Sequence, residues 1–205
     1  MRSLLKKIFL KFSTKTSVPK YQKYLVDGNL IVGENSNIDN LNLTIYNSKK
    51  NQVNIEIGEG CLISGSIVVY NPTAKVVIGD RVFIGENTEI YCKENIIIGS
   101  DVMLSWGITL IDTNAHSLNW EERKNDVLDW KKGPEFKKWN VVDSSPIKIE
   151  NKSWIGFKSI ILKGVILHEG TIVGAGSVVT KSTEPYTVVG GNPARLIKRL
   201  TNENI

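Results

Sequence analysis

Between Ile149 and Val179 an aliphatic residue falls at every sixth position: Ile149, Ile155, Ile161, Leu167, Val173 and Val179. Four positions after each stands a small or β-branched residue: Ser153, Ser159, Val165, Thr171, Ser177 and Thr183. An α-helix repeats about every 3.6 residues and a half-buried strand every two, so neither produces this beat. A six-residue beat fits a chain wound around a triangular prism, one face per hexapeptide, with the aliphatic side chain turned inward. The fold class predicted is all-β: a left-handed parallel β-helix. Its left-handed crossovers are an exception to the usual right-handed rule.

The beat recurs upstream at Val32 and Ile38, at Ile57 and Ile63, at Ile78, Ile84 and Ile90, and at Ile98, Leu104 and Leu110. Register slips at residues 46–56, 70–77 and 92–97, which read as loops bulging from corners. Gly, Asn and Asp beside the aliphatic positions suit tight corners because they tolerate positive φ. At about 18 residues per coil, roughly six coils result. An antiparallel sandwich with regular turns would alternate with period two, which this chain does not.

One break is too long for a corner. Residues 112–147 carry no hexads, and a loop of about 35 residues in a compact fold is usually functional. It opens on Asp112-Thr113-Asn114-Ala115-His116, continues through Trp120-Glu121-Glu122-Arg123, and contains Trp130 and Trp139. The expected organisation is a basic amphipathic segment over residues 1–25, the β-helix with its excursion loop over 26–185, and a short amphipathic helical segment over 186–205.

Charge refines the ends. The net charge of +5 is concentrated in Arg2, Lys6, Lys7, Lys11, Lys15, Lys20 and Lys23, with no acid among residues 1–23. Leu4, Leu5, Ile8, Phe9 and Phe12 fall at helical spacing between these cations. Such a helix either touches an anionic membrane surface or caps the prism. It lacks the apolar core and cleavage site of a secretory signal. No stretch is long enough to span a bilayer. Nucleic acid is a poor partner, since the basic charge sits in one tail and no recognition motif is present. Cys61 and Cys92 have no metal or redox spacing and read as buried packing residues in a reducing compartment. The placement expected is cytoplasmic, with peripheral contact at the inner membrane face.

From residue 78 to residue 200 the chain resembles the hexapeptide-repeat acyltransferases, in particular the maltose/galactoside O-acetyltransferase type and its surface-polysaccharide relatives. The resemblance rests on His116 with Glu121-Glu122-Arg123, on Pro146-Ile147-Lys148-Ile149 and Trp154-Ile155-Gly156, on residues 173–181 (VGAGSVVTK), and on residues 190–195 (GGNPAR). Two departures are visible: a longer loop after His116, and a basic segment where the maltose type has a helical domain. The resemblance implies a homotrimer with acetyl-CoA in the groove between adjacent prisms and no metal. It assigns Trp154, Ala175, Thr180, Lys181, Arg195 and Lys198 to the cofactor path. Cations at the end of the prism suit coenzyme A phosphates, and Ala175 between glycines lets a pantetheine arm approach the backbone.

The chemistry of the residues agrees. A thioester is already activated, so transfer to a hydroxyl needs a base and oxyanion donors but no enzyme nucleophile. A neutral histidine suits the base role, and His116 is the candidate. Asn87, one coil below, is a candidate to orient the ring or the acceptor; Asp112 and Glu121 are candidates to fix its tautomer. His168 stands at an outward position of its hexad. Trp120, Trp130 and Trp139 either stack on a sugar or pin the loop. The expected reaction is O-acetylation of a saccharide or glycolipid in surface polysaccharide or lipopolysaccharide synthesis. The alternative is N-acyl transfer to an amino nucleotide-sugar, or acetylation of a xenobiotic. A zinc carbonic anhydrase on this fold needs three histidines per site, and the chain has two. A non-catalytic scaffold would have no use for the His116 loop.

Overall fold

The computed structural model describes residues 21–201. Three sheets of six, seven and six strands form the faces of a prism. On the first face Leu30–Val32, Ile55–Ile57, Lys75–Ile78, Asn95–Ile98, Ile147–Ile149 and Ile166–Leu167 stack in chain order, one per coil. Six coils result, and the left-handed β-helix expected from the beat is the fold.

The beat works by stacking like on like. Ile57, Ile78, Ile98 and Ile149 form one inward column, held in register by the parallel pairing of their strands. Ile63, Ile84, Leu104, Ile155 and Val173 form the column of the second face. Ile67, Ile90, Leu110, Ile161 and Val179 form that of the third. None of these side chains is more than 3% exposed. Full burial of an aliphatic side chain contributes about 1.5–3 kcal/mol, so the columns carry the stability of the prism. The small residues of the hexads fill the corners. Ser159 Oγ donates to the Gly174 carbonyl at 3.1 Å and Thr171 Oγ1 to the His168 carbonyl at 2.6 Å. A buried hydroxyl left unpaired would cost about 1–3 kcal/mol.

Corners turn through positive φ, as the sequence suggests, at Asn35, Asn87 and Asp101. Four corners use bulkier residues, Arg81, Lys152, Lys158 and Tyr186. Arg81 is tied to Asp101 of the next coil, Nε to Oδ1, at 2.7 Å. At Gly170, φ is +66° and a Cβ would meet the Tyr186 ring at 2.4 Å, so glycine is required twice over.

All three register slips and the excursion leave from the same corner, between the third face and the first. There the chain passes from Leu41–Ile45 to Ile55–Ile57, from Gly65–Val69 to Lys75–Ile78, from Glu89–Cys92 to Asn95–Ile98, and from Thr109–Ile111 to Ile147–Ile149. The buried Asn54 braces this corner, donating from Nδ2 to the carbonyls of Pro72 at 2.7 Å and Ala74 at 3.0 Å.

The ends differ from expectation in one respect. Residues 1–20 of the basic segment lie outside the described residues. The described part is one short helix, Gln22–Val26. Tyr21 and Tyr24 pack against the core, and Tyr24 Oη accepts the Ile45 amide at 3.1 Å. The C-terminal segment is not helical. Thr187–Gly191 and Ala194–Arg199 form an antiparallel hairpin. The spacing of Leu196, Ile197 and Leu200 resembles a helical stripe. The last coil, however, presents a row of unpaired backbone groups, and a returning strand satisfies them where a helix cannot.

Ile149→Ala should lower unfolding free energy by about 2–5 kcal/mol, the usual cost of a large-to-small change in a closed core. Lys148→Ala, one residue away but outward, removes an exposed ion pair with Glu150 and should cost less than about 1 kcal/mol. Chemical denaturation of both variants checks the inward–outward alternation; equal losses would contradict it.

Candidate active site

The excursion begins where a charge replaces an aliphatic residue. Asp112 follows Ile45, Val69 and Cys92 in one inward column of the third face and is fully buried. Its carboxylate accepts the amides of Lys93 at 2.7 Å and Glu94 at 2.8 Å from the coil below. Burial pushes its carboxyl up, and these amides only partly counter that. The Cys92 thiol beside it is also pushed up, first by burial and then by the Asp112 charge, so it is an inert packing group.

The two ends of the loop are clasped at the prism surface. The Asn114 amide donates to the Asp143 carbonyl and the Ser145 amide to the Asp112 carbonyl, each at 2.9 Å. Lys93 Nζ donates to the Val142 carbonyl at 2.5 Å. Between the ends the loop folds into helices Trp120–Arg123 and Asp126–Lys132 and two single 3₁₀ turns. Trp139 lies 4.5 Å from the Tyr70 ring centroid, and Trp130 meets Trp139 edge-on at 6.2 Å. Tyr70 itself is stacked on Tyr46 and Tyr91 of the neighbouring coils. Trp130 and Trp139 therefore pin the loop to the prism. Trp120 does not; it is 63% exposed, with the Arg123 guanidinium over its ring.

His116 sits in the turn before the first of these helices, following Ala115 at φ +60°. Asn119 caps that helix, accepting the Glu121 amide at 3.0 Å. Glu122 accepts from Ser117 Oγ, and Arg123 donates to the carbonyls of Ser117 and Leu118. The Glu121-Glu122-Arg123 trailer thus fixes the turn that presents His116. Glu121 itself pairs with Lys124.

The ring is held by two residues that the sequence did not single out. His116 Nδ1 lies 2.5 Å from Asp126 Oδ2. Lys137 Nζ lies 2.6 Å from the same oxygen and 3.3 Å from Nδ1. Lys137 also faces the rings of Trp139 and Trp130, at 5.3 Å and 5.9 Å from their centroids. The side chains of Lys137, Asp126 and His116 are 0%, 10% and 49% exposed. Burial alone would push the Asp126 carboxyl up. Hydrogen bonds from Lys137 and His116, with their charges, outweigh it and hold the carboxyl below its usual range. An ionised carboxylate only accepts, so Nδ1 carries the ring proton. In the neutral form of this half-exposed ring Nε2 is then the lone-pair nitrogen. Among the described residues no hydrogen bond engages it.

Asp112 and Glu121 are thus not the partners of His116; Asp126 is. Asp112 serves the prism, bracing its corner through the Lys93 and Glu94 amides, and Glu121 serves Lys124. Asn87 occupies a corner turn at φ +59° and lines a groove of about 340 Å³ with Asn40, Asn42, Ser64 and Ser66. No hydrogen bond joins it to His116 within the described chain. His168 is half-buried and bonded to Glu150 at 3.1 Å. Of the expected cofactor residues, Lys181 and Arg195 share the lining of a second cavity of about 280 Å³. Lys198 stands opposite Val188 in the terminal hairpin. Trp154 is half-exposed, with Nε1 3.3 Å from Ser105 Oγ. Ala175 and Thr180 are exposed, and the space where a Gly176 side chain would stand is open. Asn125 stands at the N-cap position just before Asp126 and makes no side-chain cap. Nothing distinguishes Lys137 from the exposed Lys131, Lys132 and Lys138 except where the loop folds.

Residues 146–181 match the bacterial transferase hexapeptide (six repeats), and residues 75–111 match the hexapeptide repeat of succinyl-transferase. The galactoside O-acetyltransferase of Escherichia coli is 29% identical over 137 residues, covering 67% of this chain and 60% of its own. The chloramphenicol acetyltransferase of Klebsiella aerogenes is 47% identical over 58 residues, 28% of each chain. These and similar curated relatives are matched over 28% to 64% of their length. A mutant of AntD, an N-acyltransferase from Bacillus cereus in complex with dTDP-4-amino-4,6-dideoxyglucose and coenzyme A, has a TM-score of 0.65 at 23% identity, with 89% of this chain and 90% of that chain covered. That likeness is one of fold. Over residues 75–111 and 146–181 the chain is thus similar to hexapeptide-repeat transferases.

Asp126 has a folded-state pKa below its unfolded value of about 3.9. Its contribution to stability is therefore complete above that value and is lost as pH falls through the folded pKa. Asp126→Asn should destabilise the protein at about pH 7 and much less near pH 3. Thermal unfolding of wild type and variant at both pH values checks this; a gap that widens on acidification would contradict it.

Proposed function

We propose that this chain transfers an acyl group, acetyl in the first instance, from a coenzyme A thioester to a saccharide hydroxyl. His116 is the general base. The observation that carries the reading is the half-exposed imidazole with Nδ1 bound to a buried carboxylate and Nε2 without a hydrogen bond among the described residues. In the proposed step the acceptor hydroxyl gives its proton to Nε2 as its oxygen attacks the thioester carbonyl. The tetrahedral intermediate collapses, the carbon–sulfur bond breaks, and the proton passes from Nε2 to the coenzyme A thiolate. Neither covalent intermediate nor metal is needed.

For the donor, the cavity shared by Lys181 and Arg195 offers two cations to phosphate, with Lys198 nearby in sequence and Trp154, Ala175 and Thr180 toward the thioester end. For the acceptor, the groove around Asn87 offers amides and hydroxyls of Asn40, Asn42, Ser64 and Ser66. That is chemistry suited to a polyhydroxylated ligand. The proposed assembly is a homotrimer. Leu62, Met103 and Trp154 are about half exposed along one face, and a three-fold ring would cover that stripe while bringing His116 and the groove of adjacent copies together. The galactoside O-acetyltransferase relatives support a sugar hydroxyl as acceptor. Acceptors in surface polysaccharide or lipopolysaccharide assembly remain the proposed class, with residues 1–20 as the peripheral membrane contact at the cytoplasmic face.

The second reading is N-acyl transfer to an amino nucleotide-sugar, which the fold neighbour AntD motivates, or acetylation of a xenobiotic, which the chloramphenicol acetyltransferase relative motivates. A free amine is already nucleophilic, so the base matters less. The discriminating experiment follows coenzyme A release with sugar hydroxyl and amino-sugar acceptors, in wild type, His116→Ala and Lys181→Ala/Arg195→Ala. The expected result is a loss of about two to four orders of magnitude in kcat for His116→Ala with a hydroxyl acceptor, and a raised KM for acetyl-CoA with kcat nearly intact for the cation variant. An unchanged kcat for His116→Ala would remove the base role and favour an amine.

A further inference from the structure

We infer that Lys137 is a positioning residue for the proposed base: its buried charge cancels that of Asp126 at the imidazole, so the carboxylate fixes the ring tautomer without holding the ring protonated. This inference rests on the acyltransferase reading and adds a residue to it. His116 Nδ1 faces an acceptor-only carboxylate at 2.5 Å and a donor-only ammonium at 3.3 Å. The two cannot both bond the same nitrogen in one tautomer. The shorter contact decides: Nδ1–H donates to Asp126. Lys137 spends its own proton on the same oxygen, at 2.6 Å.

A carboxylate this close to a histidine, acting alone, favours the imidazolium. A ring already protonated at the working pH takes no proton from a hydroxyl. Against this the structure sets a cation in contact with the same nitrogen, disfavouring a second positive charge. Carboxylate and ammonium together present a dipole rather than a net charge to the ring. No other charged side chain bonds the imidazole among the described residues. Glu122 and Arg123, from the helix beside it, are engaged by Ser117 and Leu118, and Lys93 by the Val142 carbonyl.

A purely structural plug would not need the charge. Lysine is costly to bury, and this one has no exposed side-chain surface. Two indole faces and one carboxylate offset that cost. An apolar residue of the same length would fill the space against Trp130 and Trp139 without any desolvation penalty.

The test is direct titration of the imidazoles in the full-length protein by long-range proton–nitrogen NMR. The chain has two histidines, so His168, bonded to Glu150, serves as an internal reference for folding. Wild type should show His116 with Nδ1 protonated in the neutral form. Lys137→Met and Lys137→Gln should raise the His116 midpoint by about one unit or more, leaving the His168 midpoint in place. Lys137→Arg, which keeps the charge, should hold it near the wild-type value. The acid limb of kcat/KM should move with the NMR midpoint. A His116 midpoint that stays or falls in a variant with unchanged His168 signals overturns the inference, as does an equal rise in Lys137→Arg. The titration needs no turnover, so failure of the acyltransferase reading, seen as no coenzyme A release by wild type, is distinguishable from failure here.

Discussion

Register between stacked aliphatic side chains is the constraint on which the rest of this protein depends. Each coil closes only if an inward residue falls at the same place on each face, directly over its counterpart in the coil below. Ile98, Ile149 and their column are the material form of that rule. Strand pairing then follows, since the parallel ladders join residues already aligned by packing. The rule also decides where the chain can be elaborated. Insertions must leave and return without shifting a column, and the corner between the third and first faces takes all of them. A 35-residue excursion there leaves Leu110 and Ile161 in register across it.

The loop is supported on that register. Asp112 ends an aliphatic column and ties its corner to the coil below. Tyr70, stacked between tyrosines of adjacent coils, receives Trp130 and Trp139. The same two indoles cover the ammonium of Lys137, which holds Asp126, which orients His116. Prism packing and ring tautomer are thus connected through five named side chains. Asp126 and Lys137 are buried, where Coulomb interactions are stronger than in water, while the His116 ring is half exposed.

The prism was legible in the sequence because its period is set by side chains that touch their own repeats. The positions of Ile149 through Val179 give the inward faces, the recurrences upstream from Val32 to Leu110 give the number of coils, and the slips at residues 46–56, 70–77 and 92–97 mark the corner that tolerates insertion. His116 stood out as one of two histidines in a segment without hexads. Its partners did not stand out. Asp112 and Glu121 were nearer in sequence or more conspicuous, but the column claims the first and Lys124 the second. Asp126 and Lys137 meet His116 only once the loop has folded, and no local period records that. The terminal hairpin was masked for a related reason. Leu196, Ile197 and Leu200 suit a helix locally, whereas the open edge of the last coil selects a strand.

The central claim is that Nε2 of His116 takes the proton of the acceptor hydroxyl while Asp126 and Lys137 hold the other side of the ring. A crystal structure of the protein with coenzyme A and a saccharide acceptor measures this most directly. The account predicts the reacting hydroxyl within about 2.6–3.2 Å of Nε2, with Nδ1 still on Asp126 and the thiol of coenzyme A approaching the same hydroxyl. A saccharide bound with every hydroxyl beyond reach of Nε2, or a ring turned so that Nε2 meets Asp126, would contradict it.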